Sequence, residues 1–266
     1  MRIDPFATLL GLRYKAHPWH GVEIGPKAPD QITCYIEMVS TDTVKYEVDK
    51  KTGYLTVDRP HRFSSILPHL YGFIPQTYCG VNIGERANEV AKRTDIVGDG
   101  DPLDICVLTE KQIAHGDLLV QAIPIGGLRI IDTKEADDKI IAVLKDDLVY
   151  GGVKDISELH KPTIDRMTHY FLTYKDMPGA KDPPRCILIE VYGADEAKNS
   201  IKRAQEDYKL YIEKIIFARK YSNDPGEKAS STSPNLKPEL EKVPSSGPII
   251  KLSEKPKDKE KEESKI

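Results

Sequence analysis

The chain has 266 residues, of which 39% are hydrophobic and 30% charged, and a formal net charge of −3. This length can bury a substantial core in one or two domains. A slightly negative net charge gives no indication of the concentrated basic surface that binds nucleic acid. No stretch approaches the roughly 18 apolar residues that cross a bilayer, and Asp4 and Pro5 interrupt any signal peptide, which together predict a cytoplasmic protein without a membrane or nucleic-acid partner.

The first part of the chain changes from an irregular segment to strands. Residues 1–30 mix several prolines with short apolar patches, so we expect an N-terminal arm. Alternating apolar residues then predict strands at 33–39, 44–48 and 54–57, and the last two are joined by a glycine-ending hairpin loop. Lys45 and Glu47 share one face of the middle strand, which is either a solvated surface or the polar lining of a site.

A cluster of acids follows residues 80–98, a glycine-bearing and charged stretch that we interpret as a long loop. Asp99-Gly100-Asp101-Pro102-Leu103-Asp104 precedes an apolar run at 105–108. Packed carboxylates repel one another and raise at least one pKa unless cations or hydrogen bonds compensate, and a hard metal ion is the favoured compensator. Asp99 and Asp101 point to the same side of an extended backbone. Pro102 can break this alternation and let Asp104 join them.

Two alternatives compete for this acidic motif. An EF-hand places Asp99, Asp101 and Glu110 at loop positions one, three and twelve. It is disfavoured because Leu103 occupies position five, Asp104 replaces the turn glycine, and a strand pattern follows instead of a helix. A solvated acidic turn before a strand stays open at this point.

The second half of the chain predicts more strands and two helices. Apolar segments at 118–123, 128–131 and 139–144 follow at short spacing, which favours an antiparallel barrel or sandwich. Asp132 and Asp137 lie between the last two, with Lys139 two residues on; if the strands form one barrel, these residues can face the first acids across its mouth. A helix begins at Pro162, a strand covers 186–191, and an amphipathic helix covers 194–221, with an apolar stripe that extends to Ile215.

The end of the chain and the cysteines complete this pattern. Residues 222–266 contain no aromatic residue and many prolines and charges, so we predict a disordered tail. The cysteines are scattered without a CxxC pair, which indicates neither a zinc site nor a redox pair. We expect buried free thiols in a reducing compartment.

The acidic motif resembles the D-x-D-P-x-D signature of the family I soluble inorganic pyrophosphatases. Further residues match that family in order and approximate spacing over residues 32–195: Glu37, Lys45-Tyr46-Glu47, Arg59, Tyr71-Gly72, the loop from Asp132 to Lys139, and Tyr174-Lys175. The resemblance implies a mainly β fold, a closed five-stranded OB-like β-barrel with flanking helices. It also implies Mg²⁺-dependent hydrolysis of inorganic pyrophosphate to two orthophosphates by a metal-activated water, with several ions per site, in a homo-oligomeric hydrolase.

Roles for individual residues follow from the same resemblance. The implied metal ligands are Asp99, Asp104, Asp132 and Asp137, with Glu37 and Glu47 acting largely through water. Asp101 would orient the nucleophilic water and take its proton, and Tyr71 would donate a hydrogen bond near Asp101 and the metals. Lys139 would offset the charge that builds up on the leaving phosphate. The phosphates would be bound by Lys45, Arg59, Tyr174 and Lys175.

The implied organisation is a pyrophosphatase domain over residues 1–221, with an arm at 1–30, a core at 32–195 and a C-terminal helix at 196–221, followed by the tail at 222–266. Two features depart from the family: Leu67 replaces a usual tyrosine, and the 80–98 stretch is longer than in compact bacterial members.

The sequence leaves two alternative functions open. One is a metal-dependent phosphohydrolase that acts on a larger substrate, and the other is a divalent-cation binder without turnover.

Overall fold

The structure, a computed structural model, describes residues 15–177, 179–180 and 183–222, with the backbone alone for 218–222. The strands are β1 Ile32–Met38, β2 Val44–Val48, β3 Leu55–Pro60, β4 Leu70–Phe73, β5 Val97–Gly98, β6 Asp104–Leu108, β7 Leu118–Asp132, β8 Glu135–Ala136, β9 Lys139–Leu144 and β10 Cys186–Gly193. The helices are α1 Val81–Ala91, α2 Lys161–Thr173 and α3 Ala194–Ser222, with a short 3₁₀ helix at Ile156–Glu158.

Five strands close on one another in a ring. β1 pairs with β4, β4 with β6, β6 with β9, β9 with β7, and β7 returns to β1. The closed five-stranded, OB-like architecture with flanking helices is therefore confirmed. The expectation of purely antiparallel pairing was wrong, because β6 and β9 run parallel. A parallel pair needs a crossover connection. The chain makes this connection through β7, which follows β6 in sequence and pairs with the opposite edge of β9 in the sheet.

Strand β7 is one continuous element of 15 residues, where two shorter strands were predicted. Gly126 and Gly127, which resemble a turn in the sequence, lie within it beside a shift in register. A Cβ atom at Gly127 would lie 2.3 Å from the Tyr192 ring, so this glycine permits close packing against β10. The glycines therefore mark a close approach of side chain to backbone and not a chain reversal.

Alternate residues of the central strands supply two cores. Ile105 of β6 and Ile140 of β9 belong to a core shared with α1 and α3. Cys106 and Ile141, one residue further on, belong to a core shared with α2 and the 3₁₀ helix. This period of two is the expected alternation of side chains along a strand, and it places helices against both faces of the ring.

The helices match the prediction at two of three places. α2 begins at Lys161 with Pro162 in its first turn, and α3 begins at Ala194, as the sequence indicated. The loop predicted for 80–98 was wrong, because most of it is α1, whose Ile83 and Ala87 are buried. The apolar stripe of α3 also ends earlier than predicted, because Ile215 is 46% exposed.

Other expectations concern the termini and the cysteines. Trp19, in the turns of residues 15–30, is buried, and all four cysteines are buried and free. The remaining arm residues, 1–14, and most of the predicted tail, 223–266, lie outside the described residues, so the division into domain and tail stays a prediction. In the described chain, each helix is too short or too polar to span a membrane.

Candidate active site

The residues singled out by the sequence meet in one cavity of about 510 Å³. Its walls come from β1, the β2–β3 hairpin, β4, the loop before β6, the β7–β9 connection and the end of α2. Every predicted site residue lines it: Glu37, Lys45, Glu47, Arg59, Tyr71, Asp99, Asp101, Asp104, Asp132, Asp137, Lys139, Tyr174 and Lys175. Lys45, Glu47 and the acidic turn therefore face a shared cavity and not an open surface, although the side chains of Glu47 and Asp101 are 38% and 40% exposed.

The acidic loop is shaped by its own short-range contacts. Gly100 has φ +78°, a left-handed conformation that favours glycine. The Asp101 N–H donates to Asp99 Oδ1 at 2.9 Å. Leu103 points into the core, and its N–H donates to Thr77 Oγ1 at 2.9 Å. This path turns the chain at Gly100 and Pro102, so that all three aspartates reach the cavity.

Lys139 links the two acidic segments at the base of the cavity. Lys139 is the β9 residue paired with Asp104 of β6, and its buried ammonium group contacts both Asp104 and Asp137. Tyr71 donates from its hydroxyl to Asp104 Oδ2 at 2.7 Å, so its partner is one of the expected metal ligands, three residues beyond Asp101. Two carboxylates, one ammonium and one phenol thus form a closed group.

A second cationic contact holds the outer acid. Asp132 accepts hydrogen bonds from Lys175 Nζ and Arg185 Nε, each at 2.7 Å. Lys175 Nζ also lies 3.6 Å from Asp137 Oδ2 and 5.5 Å from the centre of the Tyr174 ring. The end of α2 therefore brings one ammonium between both aspartates of the β7–β9 connection.

The β2–β3 hairpin supplies the basic wall. Lys45 and Arg59 are cross-strand partners. Lys45 Nζ lies 2.6 Å from Glu47 and 3.1 Å from Asp58, and Arg59 Nη1 lies 2.5 Å from the same Asp58. Asp58 thus holds the two cations side by side, at the spacing of neighbouring strands.

Burial perturbs the acids in different directions. Desolvation raises the pKa of Glu37 to about 8, although its carboxylate accepts the Val48 N–H. Desolvation, together with Asp101 and Asp137, raises the pKa of Asp99 well above its ordinary value. Burial also raises the pKa of Asp104, whereas for Asp137 the attraction of Lys139 and Lys175 outweighs burial and the net shift is downward. Glu37 and Asp99 are therefore the acids most in need of a further positive charge.

This donor set fits a hard divalent cation. All its ligands are carboxylate oxygens, which Mg²⁺ and Ca²⁺ prefer, and among the described residues no lysine or arginine pairs with Asp99 or Glu37. Within that same part of the chain, no three carboxylate, imidazole or thiol groups converge as a ready-made metal site. Ammonium groups contact three of the acids: Lys50 contacts Asp101, and Lys139 contacts Asp104 and Asp137.

The sequence did not reveal every residue of the cavity. Lys50, in the hairpin loop, contacts Asp101, and Arg185, just before β10, contacts Asp132. The position of Lys50, three residues after Glu47, is only a weak sequence indication that it belongs to the site. Arg185 reaches Asp132 only through the pairing of β10 with β7. Leu67 is fully buried beside Tyr71 in the α2-side core and adds no polar group to the cavity.

Comparisons with known proteins agree with this geometry. A family model described as inorganic pyrophosphatase matches residues 34–209. An inorganic pyrophosphatase of Chlamydia trachomatis is 53% identical over 196 residues, covering 73% of this chain and 94% of that protein. A soluble inorganic pyrophosphatase of Oryza sativa subsp. japonica is 38% identical over 197 residues, covering 74% and 81%. The crystal structure of inorganic pyrophosphatase from Thermus thermophilus matches with a TM-score of 0.60 at 27% identity, covering 73% of this chain and 99% of that one.

Proposed function

The chain belongs to the inorganic pyrophosphatase family, and we propose that it hydrolyses inorganic pyrophosphate to two orthophosphates with Mg²⁺ held by the acidic wall of its cavity. The enzyme is thus a phosphoanhydride hydrolase. The observation that carries the proposal is the opposition of acids and bases in one cavity. Pyrophosphate is a polyanion, so its phosphates need the basic wall, and cations must screen them from the carboxylates.

The metal ligands are assigned by chemistry and resemblance. Asp99, Asp104, Asp132 and Asp137 would hold several Mg²⁺ ions, with Glu37 and Glu47 acting largely through water. When bound, these ions supply positive charge between carboxylate and phosphate oxygens and lower the pKa of water toward neutrality. The raised pKa values of Asp99 and Glu37 support this assignment, because burial dominates both shifts and, among the described residues, neither carboxylate forms a salt bridge with a lysine or arginine.

Asp101 is the proposed general base. Its side chain is 40% exposed, and its Oδ1 contacts Lys50. A carboxylate that reaches the open cavity can orient a water and accept its proton at an oxygen atom. Asp104 and Asp137 are less suited, because their side chains are only 23% and 13% exposed and both contact the buried Lys139.

The cations and phenols would stabilise the transferring phosphate. Arg59 can donate two parallel hydrogen bonds to phosphate oxygens, whereas Lys45 and Lys175 supply point charges. Tyr174 would add a hydroxyl donor beside Lys175. Lys139 offsets the repulsion between Asp104 and Asp137 and would compensate the charge that develops on the leaving phosphate.

We also propose a cytoplasmic homo-oligomer that has neither nucleic-acid nor membrane partners. Four buried, free cysteines support a reducing compartment. The formal charge of −3 argues against a nucleic-acid surface. The oligomeric assembly follows from the family resemblance and is testable by sedimentation of the purified protein.

The deciding experiment measures phosphate release from pyrophosphate in a magnesium titration, with ATP as the comparison substrate. Asp101→Asn should lower kcat by about 10² to 10⁴, the range for loss of general-base catalysis. Asp165→Asn is the matched control, because Asp165 is exposed on α2 and pairs with Lys161 outside the cavity; it should retain full turnover. Faster hydrolysis of ATP, or magnesium binding without turnover, would exclude the proposal, and an unchanged Asp101→Asn rate would exclude its assigned base.

A further inference from the structure

Asp207 of α3 is a buried carboxylate that caps a helix far away in the sequence. It is 2% exposed. Its Oδ2 accepts the N–H groups of Gly80 at 3.0 Å and Ile83 at 3.2 Å, and its Oδ1 accepts that of Asn82 at 3.0 Å. These amides form the N-terminus of α1, where a negative charge and acceptor oxygens are stabilising. The cap therefore ties α3 to residues 80–83 across 127 positions of sequence.

The segment directly before α1 carries the backbone of the acidic loop. The Cys79 N–H donates to the Asp101 carbonyl at 2.8 Å, and the Gly100 N–H donates to the Cys79 carbonyl at 3.0 Å. Two residues earlier, Thr77 accepts the Leu103 N–H. The acidic loop is thus bonded on both sides of Pro102 to residues 77–79.

The contact between these segments leaves little room for adjustment. A Cβ atom at Gly98 would lie 2.1 Å from the Cys79 carbonyl oxygen, so the two backbones touch. α3 fixes the same segment a second time, because the Tyr78 N–H donates to the Ala204 carbonyl at 2.9 Å. A displacement of residues 78–80 would therefore move Gly100 and Asp101 with them.

We propose that Asp207 is a positioning residue of the reaction, which sets the place of Asp101 by anchoring residues 78–83 to α3. This inference rests on the proposed function, because it assigns Asp207 to the base of that reaction. Asp207 does not line the cavity, so it acts through the backbone of Cys79 and Gly100 and not on substrate. The proposed phosphate-binding residues Lys45, Arg59 and Lys175 lie on other elements, so we expect loss of the cap to displace them less than it displaces Asp101.

A split between turnover and substrate affinity tests the proposal. Asp207→Ala should lower kcat about 10- to 100-fold, the loss expected from a displacement of about 1 Å at a reacting group, while KM changes less than about threefold. Asp155→Ala is the matched control. Asp155 caps the 3₁₀ helix and accepts the N–H of Ala194 at 2.8 Å, so it anchors the other end of α3 without touching the acidic loop.

The control should lose thermal stability as Asp207→Ala does and keep its kcat within about twofold of the parent. A kcat of Asp207→Ala equal to that of the parent, or an equal loss in Asp155→Ala, would overturn the proposal. Asp207→Asn keeps the shape and one acceptor oxygen, so it should give an intermediate kcat; it also provides a folded variant if Asp207→Ala does not fold.

Hydrogen–deuterium exchange provides a readout that does not depend on activity. In both Asp207 variants, the amides of Gly100 and Leu103 should exchange faster than in the parent, and in Asp155→Ala they should not. Unchanged exchange in the Asp207 variants would refute the anchoring. A parent without pyrophosphate turnover would instead refute the proposed function, and exchange would still decide whether Asp207 holds the loop.

Discussion

Replacement of Arg129 by methionine tests how the ion pairs that join β7 to the β8–β9 connection, β10 and α3 stabilise the domain. Arg129 is 1% exposed. Its guanidinium lies 3.2 Å from Asp138, 3.0 Å from Glu196 and in contact with Glu190, and it sits 4.8 Å from the centre of the Tyr192 ring. Methionine fills a similar volume and removes only the charge and the donors.

The expected loss of stability depends on the three carboxylates that remain after Arg129 is replaced. Glu190 and Glu196 are partly exposed and can be solvated again, whereas the Asp138 side chain is 2% exposed and keeps the Tyr192 hydroxyl at 3.1 Å. Breaking a buried pair so that one charge stays unpaired costs about 3–5 kcal/mol. We therefore expect Arg129→Met to lower the free energy of unfolding by about that amount, or roughly 10 °C in Tm for a domain of this size.

A double-mutant cycle in urea identifies the cause. Asp138→Asn removes the stranded charge, so the double variant Arg129→Met/Asp138→Asn should be more stable than Arg129→Met alone, with a coupling energy of about 2 kcal/mol. Additive losses, or a loss below about 1 kcal/mol for Arg129→Met, would refute the argument that an unpaired Asp138 dominates. Equal m-values across the cycle check that all variants unfold from the same folded state.

Three further outcomes follow from other parts of the structure. Tyr71→Phe removes a hydrogen bond to the partly buried Asp104, worth about 1.5–3 kcal/mol for a charged acceptor, so kcat should fall roughly 10- to 100-fold; turnover equal to the parent would contradict this. Burial, with a contribution from Arg166, lowers the pKa of His69 to about 4. Below pH 6.5 the unfolded chain therefore binds a proton there that the folded chain does not, and stability falls as the pH drops from 6.5 toward 4. The loss between pH 6.5 and 5 is about 2 kcal/mol, and His69→Gln should show a correspondingly smaller pH dependence in urea unfolding. Truncation after Tyr221 should leave activity and Tm nearly unchanged, because the removed residues are too polar to bury a core; a large loss in either assay would show that the tail is structural.

The strands and the acidic motif could be predicted because their signals are local. Apolar alternation placed β1 and β2, and continuous apolar runs placed β6 and β9, within one or two residues of their observed bounds. Side chains alternate between the two faces of a strand, so a strand buried on both faces, such as β6 or β9, is marked by a continuous run. The three aspartates of the acidic loop lie within six residues of sequence, so the sequence alone indicated a cluster of negative charge. The resemblance to a family then supplied colinear residues that all line the cavity.

Features that depend on distant partners were not predictable in the same way. α1 was missed because its sequence carries a glycine and several charges, and its cap is Asp207, 125 residues beyond Asn82. The parallel pairing of β6 with β9 and the continuity of β7 through Gly126 arise from the closure of the ring. Arg185 reaches Asp132 only because β10 pairs with the end of β7.

The sequence by itself determined the chemistry of the site, because residue types and their order along the chain decide which groups can hold cations or phosphate. Tertiary structure alone decided how those groups are held, through contacts such as those of Lys139 with Asp104 and Asp137. The physical reason is that side-chain period and charge act over a few residues, whereas strand register, buried ion pairs and distant helix caps form only when the chain closes on itself.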